Sequence, residues 1–195
     1  MLYLLWHAKA EGDSFWDPLS TEGVQQSLHL AGVLERLGVE TIYTAPYRRA
    51  LDTIKSFVQR KRSLGKFCRV EVNYNLSNGV FLPEMRPEAM TLEQLISYGL
   101  KRNSVAGNIP GPEITEMYER RIVDFFCNEF WPKYEDAPNP TVIVADGMTV
   151  AVILYYIMRR KPYARAKEIV QSLKPGAVLA FKGDGFQLQF ESQVA

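Results

Sequence analysis

The chain has 195 residues, of which 47% are hydrophobic and 23% are charged, and these ordinary globular values exclude a disordered or collagen-like protein. Lysine and arginine number 23 against 22 aspartates and glutamates, so the net charge of +1 supplies no overall field that would recruit nucleic acid or acidic lipid. This length favours a single domain over residues 1–195 that carries a sizeable insertion.

The cysteines and the apolar stretches indicate a cytoplasmic protein. Cys68 and Cys127 are too few for a disulfide framework, and they fit a reducing cytosol. The apolar residues 1–6 lack the basic leader and the cleavage site of a signal peptide. The apolar stretch over residues 141–158 is interrupted by Asp146, and the pure run after it is too short to cross a bilayer.

A strand and a helix are predicted at the N-terminus. The continuous apolar run Leu2–Trp6 is typical of a strand that is buried on both faces. A helix follows, capped by Ser20 or Thr21 and ended by Gly38. Apolar residues at three- and four-residue steps form its predicted inward face: Val24, Leu28, Ala31 and Leu34.

The next segment continues the alternation of strands and helices. The run Thr41–Thr44 predicts a second strand, and a helix is expected from Pro46 to about Lys61 because proline suits a first helical turn. Residues 70–75 predict a third strand. This order predicts an α/β fold, a doubly wound and mostly parallel sheet with helices on both faces.

The middle of the chain is irregular. Residues 75–112 are rich in glycine and proline, with one short helix predicted from a capping box at Thr91. A long irregular segment inside a compact domain is typical of an inserted lid.

Regular elements are predicted again after the insertion. An aromatic stripe at helical spacing is expected to belong to the core, and it includes Tyr118, Phe125, Phe126, Phe130 and Trp131. The later elements are a buried strand at Thr141–Ala145, an apolar helix over residues 148–156, a helix over about residues 163–173 and a hairpin of residues 177–181 against 186–190.

Polar residues follow three of the predicted strands. His7 and Lys9 follow the first strand, Arg48 and Arg49 follow the second, and Asp146 follows the strand Thr141–Ala145. Ligands bind at the carboxyl ends of the strands in open parallel sheets. A histidine beside an arginine pair at a helix start favours a phosphate, because a guanidinium binds two oxygens and helix amides bind another.

Several segments, in the same order over nearly the whole chain, resemble the motifs of one family. Leu2–Ala8 resembles an opening strand with an Arg-His-Gly motif, residues 18–23 resemble Pro-Leu-Thr-x-x-Gly, and residues 44–53 match Ser-Ser-Pro-x-x-Arg-Ala-x-x-Thr. Residues 110–113 resemble Pro-Gly-Gly-Glu, and residues 142–147 align with Val-Val-Ser-His-Gly. These motifs are those of the histidine phosphatase superfamily, whose members are phosphoglycerate-mutase-like.

The resemblance implies a mechanism and a set of site residues. In the family, a histidine attacks phosphorus and becomes phosphohistidine, two arginines and a second histidine hold the oxygens, and an acid protonates the leaving group without a metal or cofactor. His7 is the matching nucleophile and Arg49 is the matching second arginine. Lys9 and Arg48 are further candidates for holding phosphate.

Three positions depart from the family pattern. Trp6 occupies the place of the first arginine, either as core filler or as a wall of the pocket, and Asp146 occupies the place of the second histidine. The family's acid would fall at Asn78, whose amide cannot protonate a leaving group, and Glu84 is the candidate substitute.

These departures predict a degraded phosphate pocket. Loss of one charge-stabilising donor costs ~10²–10³ in rate. The Asp146 carboxylate would repel a phosphate dianion, and if it reaches His7 it would favour the imidazolium, which has no lone pair for attack. Alternatively, Asp146 is simply a helix cap. We therefore expect a protein that is weakly active or inactive as a phosphatase.

Two other functions stay open at this point. One is an active phosphomonoesterase that works through a phospho-His7 intermediate, in which Lys9, Arg48 or Glu84 rebuild the site. The other is a non-enzymatic interaction module that uses the lid and the aromatic surface. The expected ligand is a phosphorylated small molecule or another anion, with no nucleic acid and no membrane as partner, and a homodimer stays open. No metal is expected, because no His, Asp or Glu cluster has ligand spacing.

Overall fold

The computed structural model describes residues 1–12, 16–77, 120–136, 138–157, 172–182 and 185–190. Within these ranges the strands are β1 (Leu2–Trp6), β2 (Thr41–Thr44), β3 (Arg69–Val72), β4 (Thr141–Ala145), β5 (Val178–Lys182) and β6 (Gly185–Phe190). The helices are α1 (Thr21–Arg36), α2 (Arg48–Ser63), α3 (Trp131–Asp136) and α4 (Gly147–Ile157). Residues 120–124 are α-helical and lead through the π-helical segment Phe125–Phe130 into α3.

The strands form one sheet in the order β3-β2-β4-β1-β5-β6. The first four strands in this order are parallel, whereas β5 is antiparallel to both β1 and β6. Trp6 pairs with Ala145, and Thr44 pairs with Val144, so the carboxyl ends of β1, β2 and β4 lie side by side. The predicted α/β class with a mostly parallel sheet is confirmed.

The core lies on both sides of the central strands. β2 and β4 are buried at every position and β1 at all but Trp6, as expected when both faces are covered. On one face, the ring of Tyr43 contacts Phe130, with ring centroids 5.2 Å apart. Phe125, Phe126 and Phe130 are buried, so their predicted place in the core is confirmed.

The inward face of α1 differs from the predicted stripe. Ser20 caps the helix by accepting a hydrogen bond from the Gly23 N–H, as predicted, but Val24 and Leu28 are exposed. Gln26 and Ser27 are buried instead, because their side chains bind backbone groups of neighbouring segments. Because these polar side chains form hydrogen bonds, the buried face of α1 differs from the face predicted from its apolar residues alone.

Two element boundaries were also predicted wrongly. The second helix begins at Arg48 and not in the turn of Pro46, because Tyr47 keeps an extended ψ of 141° and buries its ring. The third strand ends at Val72, since the Asn73 side chain accepts a hydrogen bond from the Asn75 N–H and starts the 3-10 turn Tyr74–Leu76.

Several predicted features lie outside the described residues. They are the lid beyond Ser77, the helix at Thr91, Tyr118 and nearly all of the helix predicted over residues 163–173. No helix in the described part of the chain is long and apolar enough to cross a membrane.

Candidate active site

The ends of the parallel strands bring His7 and Asp146 next to each other, as expected. The His7 N–H donates to the carbonyl of Ala145 at 3.0 Å, which extends the pairing of β1 with β4 by one residue. The His7 carbonyl accepts from the Gly176 N–H at 3.1 Å. Gly176 has a φ of 88°, a left-handed conformation that favours glycine. The backbone of His7 is therefore held from two sides.

Two hydrogen bonds define the protonation state of the His7 imidazole. Nδ1 lies 2.9 Å from the carbonyl oxygen of Ala8, and a carbonyl only accepts, so Nδ1 carries the proton. Nε2 accepts a hydrogen bond from Nε–H of Arg49 at 2.9 Å, so it presents its lone pair. The ring is neutral, and the lone pair of Nε2 points at the guanidinium group.

Burial also favours the neutral imidazole. Desolvation lowers the pKa of His7 from 6.5 to about 4, and the charge of Arg49 contributes to the lowering. The Ala8 carbonyl and the Asp146 carboxylate act in the opposite direction without reversing the shift. The Asp146 carboxylate does favour the imidazolium, as expected, but desolvation outweighs its attraction and leaves the ring neutral.

Arg49 is buried and held in place by α2. Its guanidinium carbon lies 4.7 Å from the ring centroid of Tyr47, a cation–π contact. The hydroxyl of Thr53 donates to the Arg49 carbonyl at 2.6 Å and accepts from the Ala8 N–H at 2.9 Å. One hydroxyl therefore joins the helix that carries Arg49 to the segment that carries His7.

The sequence reasoning missed the positioning roles of Thr53 and Tyr47. Thr53 was part of the matched motif, and its spacing from Arg49 was the available signal. A threonine one helical turn after a residue commonly bonds back to that residue's carbonyl. The link to Ala8 had no local signal, because it joins residues that are 45 positions apart.

Asp146 uses its carboxylate to cap α4. One oxygen accepts from the Thr149 N–H and the other from the Thr149 hydroxyl, both at 3.0 Å. The side chains of Asp146 and Thr149 are buried. The interpretation of Asp146 as a helix cap is therefore confirmed, and the cap places a carboxylate beside His7.

Neither Lys9 nor Arg48 has a side-chain hydrogen bond to His7 in the described part of the chain. Nζ of Lys9 forms an ion pair with Glu22, and Nε of Arg48 lies 3.4 Å from the Asp52 carboxylate on the exposed side of α2. Both side chains are more than half exposed. Trp6 is half-buried and packs against the core, next to its pairing partner Ala145.

Asn78 and Glu84, the two candidate positions for the acid, lie outside the described residues. The segment that leads to them is anchored beside α4. The Leu76 carbonyl lies 3.3 Å from the Thr149 hydroxyl, and the Ser77 carbonyl accepts a hydrogen bond from Arg121. Residues 76 and 77 therefore lie beside the Asp146–Thr149 side of the site.

Among the described residues, the site holds one nucleophilic nitrogen, one buried guanidinium and one carboxylate. Such a set can attack an electrophile at Nε2 or bind an anion once Arg49 turns from His7 towards it. In the described part of the chain, no group of three or more His, Cys, Asp or Glu side chains is placed to hold a metal ion.

Comparison with known proteins gives one family. The family described as the histidine phosphatase superfamily (branch 1) matches residues 12–192. No curated protein sequence matches the chain.

Solved structures of the same fold cover nearly the whole chain. The alpha-ribazole phosphatase of Shigella flexneri is 14% identical with a TM-score of 0.61, over 97% of this chain and 95% of that one. A mycobacterial glucosyl-3-phosphoglycerate phosphatase in complex with VO3 is 20% identical with a TM-score of 0.57, over 97% of each chain. An Entamoeba histolytica phosphoserine phosphatase, in complex with phosphoserine, is 15% identical with a TM-score of 0.57, over 98% and 96%. At these identities the likeness establishes a shared fold.

Proposed function

Because the chain belongs to the histidine phosphatase superfamily, we propose that it keeps the family scaffold and part of the phosphate pocket but is weakly active or inactive as a phosphatase. The ligand in this proposal is a phosphorylated small molecule or another anion, bound between His7 and Arg49. The phosphatase names of the similar structures support an anion of this class.

The observation that carries the proposal is the hydrogen bond from Nε–H of Arg49 to Nε2 of His7. At 2.9 Å it occupies the lone pair that would attack phosphorus, and both side chains are buried. Attack requires this bond to break. Arg49, the arginine that contacts His7 among the described residues, must then bind the phosphate oxygens.

The described positions around this pair add little positive charge. Trp6 and Asp146 stand where the family has an arginine and a second histidine, and the Asp146 carboxylate opposes a dianion. Lys9 and Arg48 are engaged with Glu22 and Asp52. Loss of two donors would lower the rate by roughly 10⁴-fold if each costs ~10², and such losses rarely add fully.

A second candidate function is an active phosphomonoesterase with a phospho-His7 intermediate. The neutral ring, with its proton on Nδ1, favours this reading, because a pKa of about 4 keeps Nε2 unprotonated at neutral pH. In the reaction, Nε2 would form a bond to phosphorus while the ester P–O bond breaks and the leaving oxygen takes a proton. Water would then release phosphate from His7. Glu84 is the proposed proton donor.

The deciding experiment measures turnover of an aryl phosphate by the wild-type protein and by His7→Ala. We expect equal rates, since the proposal assigns no efficient attack to His7. Turnover that His7→Ala abolishes, or a phosphohistidine trapped at position 7, would establish the second candidate instead.

A binding experiment tests the anion site separately. We expect inorganic phosphate to bind weakly in calorimetry, and Arg49→Ala to remove that binding. Arg62→Ala is the matched control, because it removes an exposed guanidinium from the same helix and leaves the site intact. Equal phosphate binding by the Arg49→Ala and Arg62→Ala variants would contradict the anion site.

We also propose that residues 1–195 form one domain, with residues 75–112 as a lid over the site, and that the protein acts in the cytoplasm. Cys68 and Cys127 form no disulfide, which suits a reducing compartment.

A further inference from the structure

Among the described residues, the side chains of the site supply one cationic donor and two acceptors. Arg49 is the donor, and its side chain is buried. His7 uses its Nδ1–H on the Ala8 carbonyl, so Nε2 meets the guanidinium with a lone pair only. Asp146 is also buried, and a carboxylate only accepts. A ligand in this site therefore has two acceptors to satisfy.

Asp146 lies beside His7 and has room for further hydrogen bonds. The His7 N–H donates at 3.0 Å to the carbonyl of Ala145, the residue before Asp146, and the carboxylate acts on the charge of the imidazole. Thr149 gives one hydrogen bond to each carboxylate oxygen, both at 3.0 Å. Because a carboxylate has about four lone-pair sites, each oxygen can accept one more hydrogen bond.

The three side chains together carry no net charge. Arg49 and Asp146 cancel, and His7 is neutral because burial lowers its pKa to about 4. The helix α4 carries no charged residue. Charged side chains on the neighbouring segments have partners of their own: Lys9 with Glu22, Arg48 with Asp52 and Arg121 with the Ser77 carbonyl. Such a set suits a monoanion better than a dianion, because Arg49 can balance one negative charge while Asp146 repels a second.

We propose that the site takes a phosphate group in its singly charged, protonated form and not as the dianion. Arg49 donates to the oxygens that carry the charge, and P–OH groups donate to Asp146 and to Nε2 of His7. A phosphate monoester in this form has one P–OH for Asp146, and inorganic phosphate has a second one for His7. The inference rests on the proposed anion site between His7 and Arg49 and adds the protonation state of its ligand.

The same groups indicate which anions the site rejects. Sulfate is a dianion without a proton at neutral pH, so it would leave both acceptors unpaired and would bring its full charge to Asp146. A site that hydrogen-bonds a hydroxyl discriminates strongly against an analogue without one, because its buried polar groups are then left unpaired. Phosphate and sulfate are both tetrahedral and of similar size, so protonation is the property that separates them.

The test measures dissociation constants of inorganic phosphate and sulfate by calorimetry on the full chain. The measurements are made at about pH 5.5, where phosphate is mainly a monoanion, and at about pH 8.5, where it is a dianion. We expect the wild type to bind phosphate at least about tenfold more tightly at the lower pH, and there at least about tenfold more tightly than sulfate. Sulfate keeps its charge over this range, so its affinity reports any change in the protein itself. The pKa of His7, about 4, lies below the range.

Asp146→Asn tests the acceptor. The amide oxygen can keep the cap on α4, and the amide NH2 can then donate to an unprotonated oxygen. We expect phosphate affinity at about pH 8.5 to rise by at least about tenfold, with a much smaller rise at about pH 5.5, so the pH dependence becomes weak. Sulfate affinity should rise as well. Asp136→Asn is the matched control, because it removes an exposed carboxylate that precedes β4, and it should change neither affinity.

Two kinds of failure are distinguishable. Equal wild-type affinities for phosphate and sulfate at about pH 5.5, or a phosphate affinity that does not fall as the pH rises, would overturn this inference and leave the anion site in place. No phosphate binding at either pH, or binding that survives Arg49→Ala, would overturn the anion site and the inference with it. If circular dichroism shows that Asp146→Asn is unfolded, the wild-type comparison of phosphate with sulfate decides the matter.

Discussion

The site has two walls, the α2 side (the first wall) and the α4 side (the second wall), and they use their buried polar groups differently. On the α2 side, Arg49 directs its Nε–H at the lone pair of His7, and Thr53 holds the backbone beneath both. On the α4 side, the oxygens of Asp146 accept hydrogen bonds from Thr149, so this carboxylate stabilises the helix start. The first wall presents groups that suit an anion, whereas the carboxylate of the second wall caps a helix.

The difference lies in what residue 146 is required to do. A helix cap requires an acceptor at the residue before the helix, and aspartate meets that requirement well. A phosphate pocket requires a donor at the same place. At residue 146 the two requirements conflict, and the aspartate meets the structural one.

The largest expected effect comes from introducing hydrogen-bond donors at residues 6 and 146. Trp6→Arg with Asp146→His should raise the rate of aryl phosphate hydrolysis by roughly 10³-fold, the scale of one to two recovered donors. The same pair of substitutions in a His7→Ala background is the control and should stay inactive. No gain in rate, with an unchanged circular dichroism spectrum, would show that these positions do not face the anion.

The first wall predicts a pH dependence of stability. His7 has a pKa of about 4 in the folded protein and 6.5 as a free side chain, so the unfolded chain binds more protons between these values. Unfolding free energy should therefore rise with pH across this window, by about 3 kcal/mol. The contribution is complete above the unfolded pKa and is lost as pH falls towards about 4.

The measurement compares denaturant unfolding of the wild type with His7→Gln across that window. The difference in unfolding free energy between the two should change with pH, because glutamine does not titrate. A constant difference would mean that His7 is not held neutral by its surroundings.

Gly23 allows α1 to lie close to the segment that carries His7. A Cβ at Gly23 would overlap the carbonyl of Lys9, two residues after His7. Gly23→Ala should therefore lower the unfolding free energy by about 1–3 kcal/mol and disturb the His7 segment. Gly32→Ala is the matched control within α1, since the nearest atom to its Cβ is the flexible end of Arg36 at 3.6 Å. Equal effects of the two variants would contradict the close approach.

The smallest expected effect measures how much Asp146 stabilises the protein as a helix cap. Asp146→Ala should lower the unfolding free energy by about 1 kcal/mol through loss of the cap, while Asp146→Asn keeps an acceptor and should lower it less. Phosphate affinity should rise in both variants, because the repelling charge is gone. Thermal unfolding and calorimetry measure the two quantities. Unchanged phosphate affinity would place Asp146 outside the anion's reach.

Much of the central sheet was predictable because buried parallel strands leave a strong signal. β1, β2 and β4 have the predicted bounds, since each is a short apolar or β-branched run between polar residues. β3 was less predictable because it is an exposed edge whose end is set by the local turn at Asn73.

The sequence predicted that polar residues gather at the ends of the parallel strands, but not the directions in which their side chains point. Arg48 and Arg49 are adjacent in sequence, yet successive helical residues are rotated by about 100°, so one faces solvent and the other faces His7. Lys9 turns towards Glu22, a contact that depends on how α1 packs. The neutral state of His7 follows from burial, which only the assembled fold provides.

The Thr53 hydroxyl both donates and accepts a hydrogen bond, and this limits how the pocket could respond to a bound anion. Since one oxygen ties the main chain of Arg49 to that of Ala8, the guanidinium has to leave His7 by rotating its own side chain about a fixed backbone. Side-chain rotation is much faster than rearrangement of a packed helix. The rate at which an anion reaches the imidazole of His7 would then depend on rotation of the Arg49 side chain.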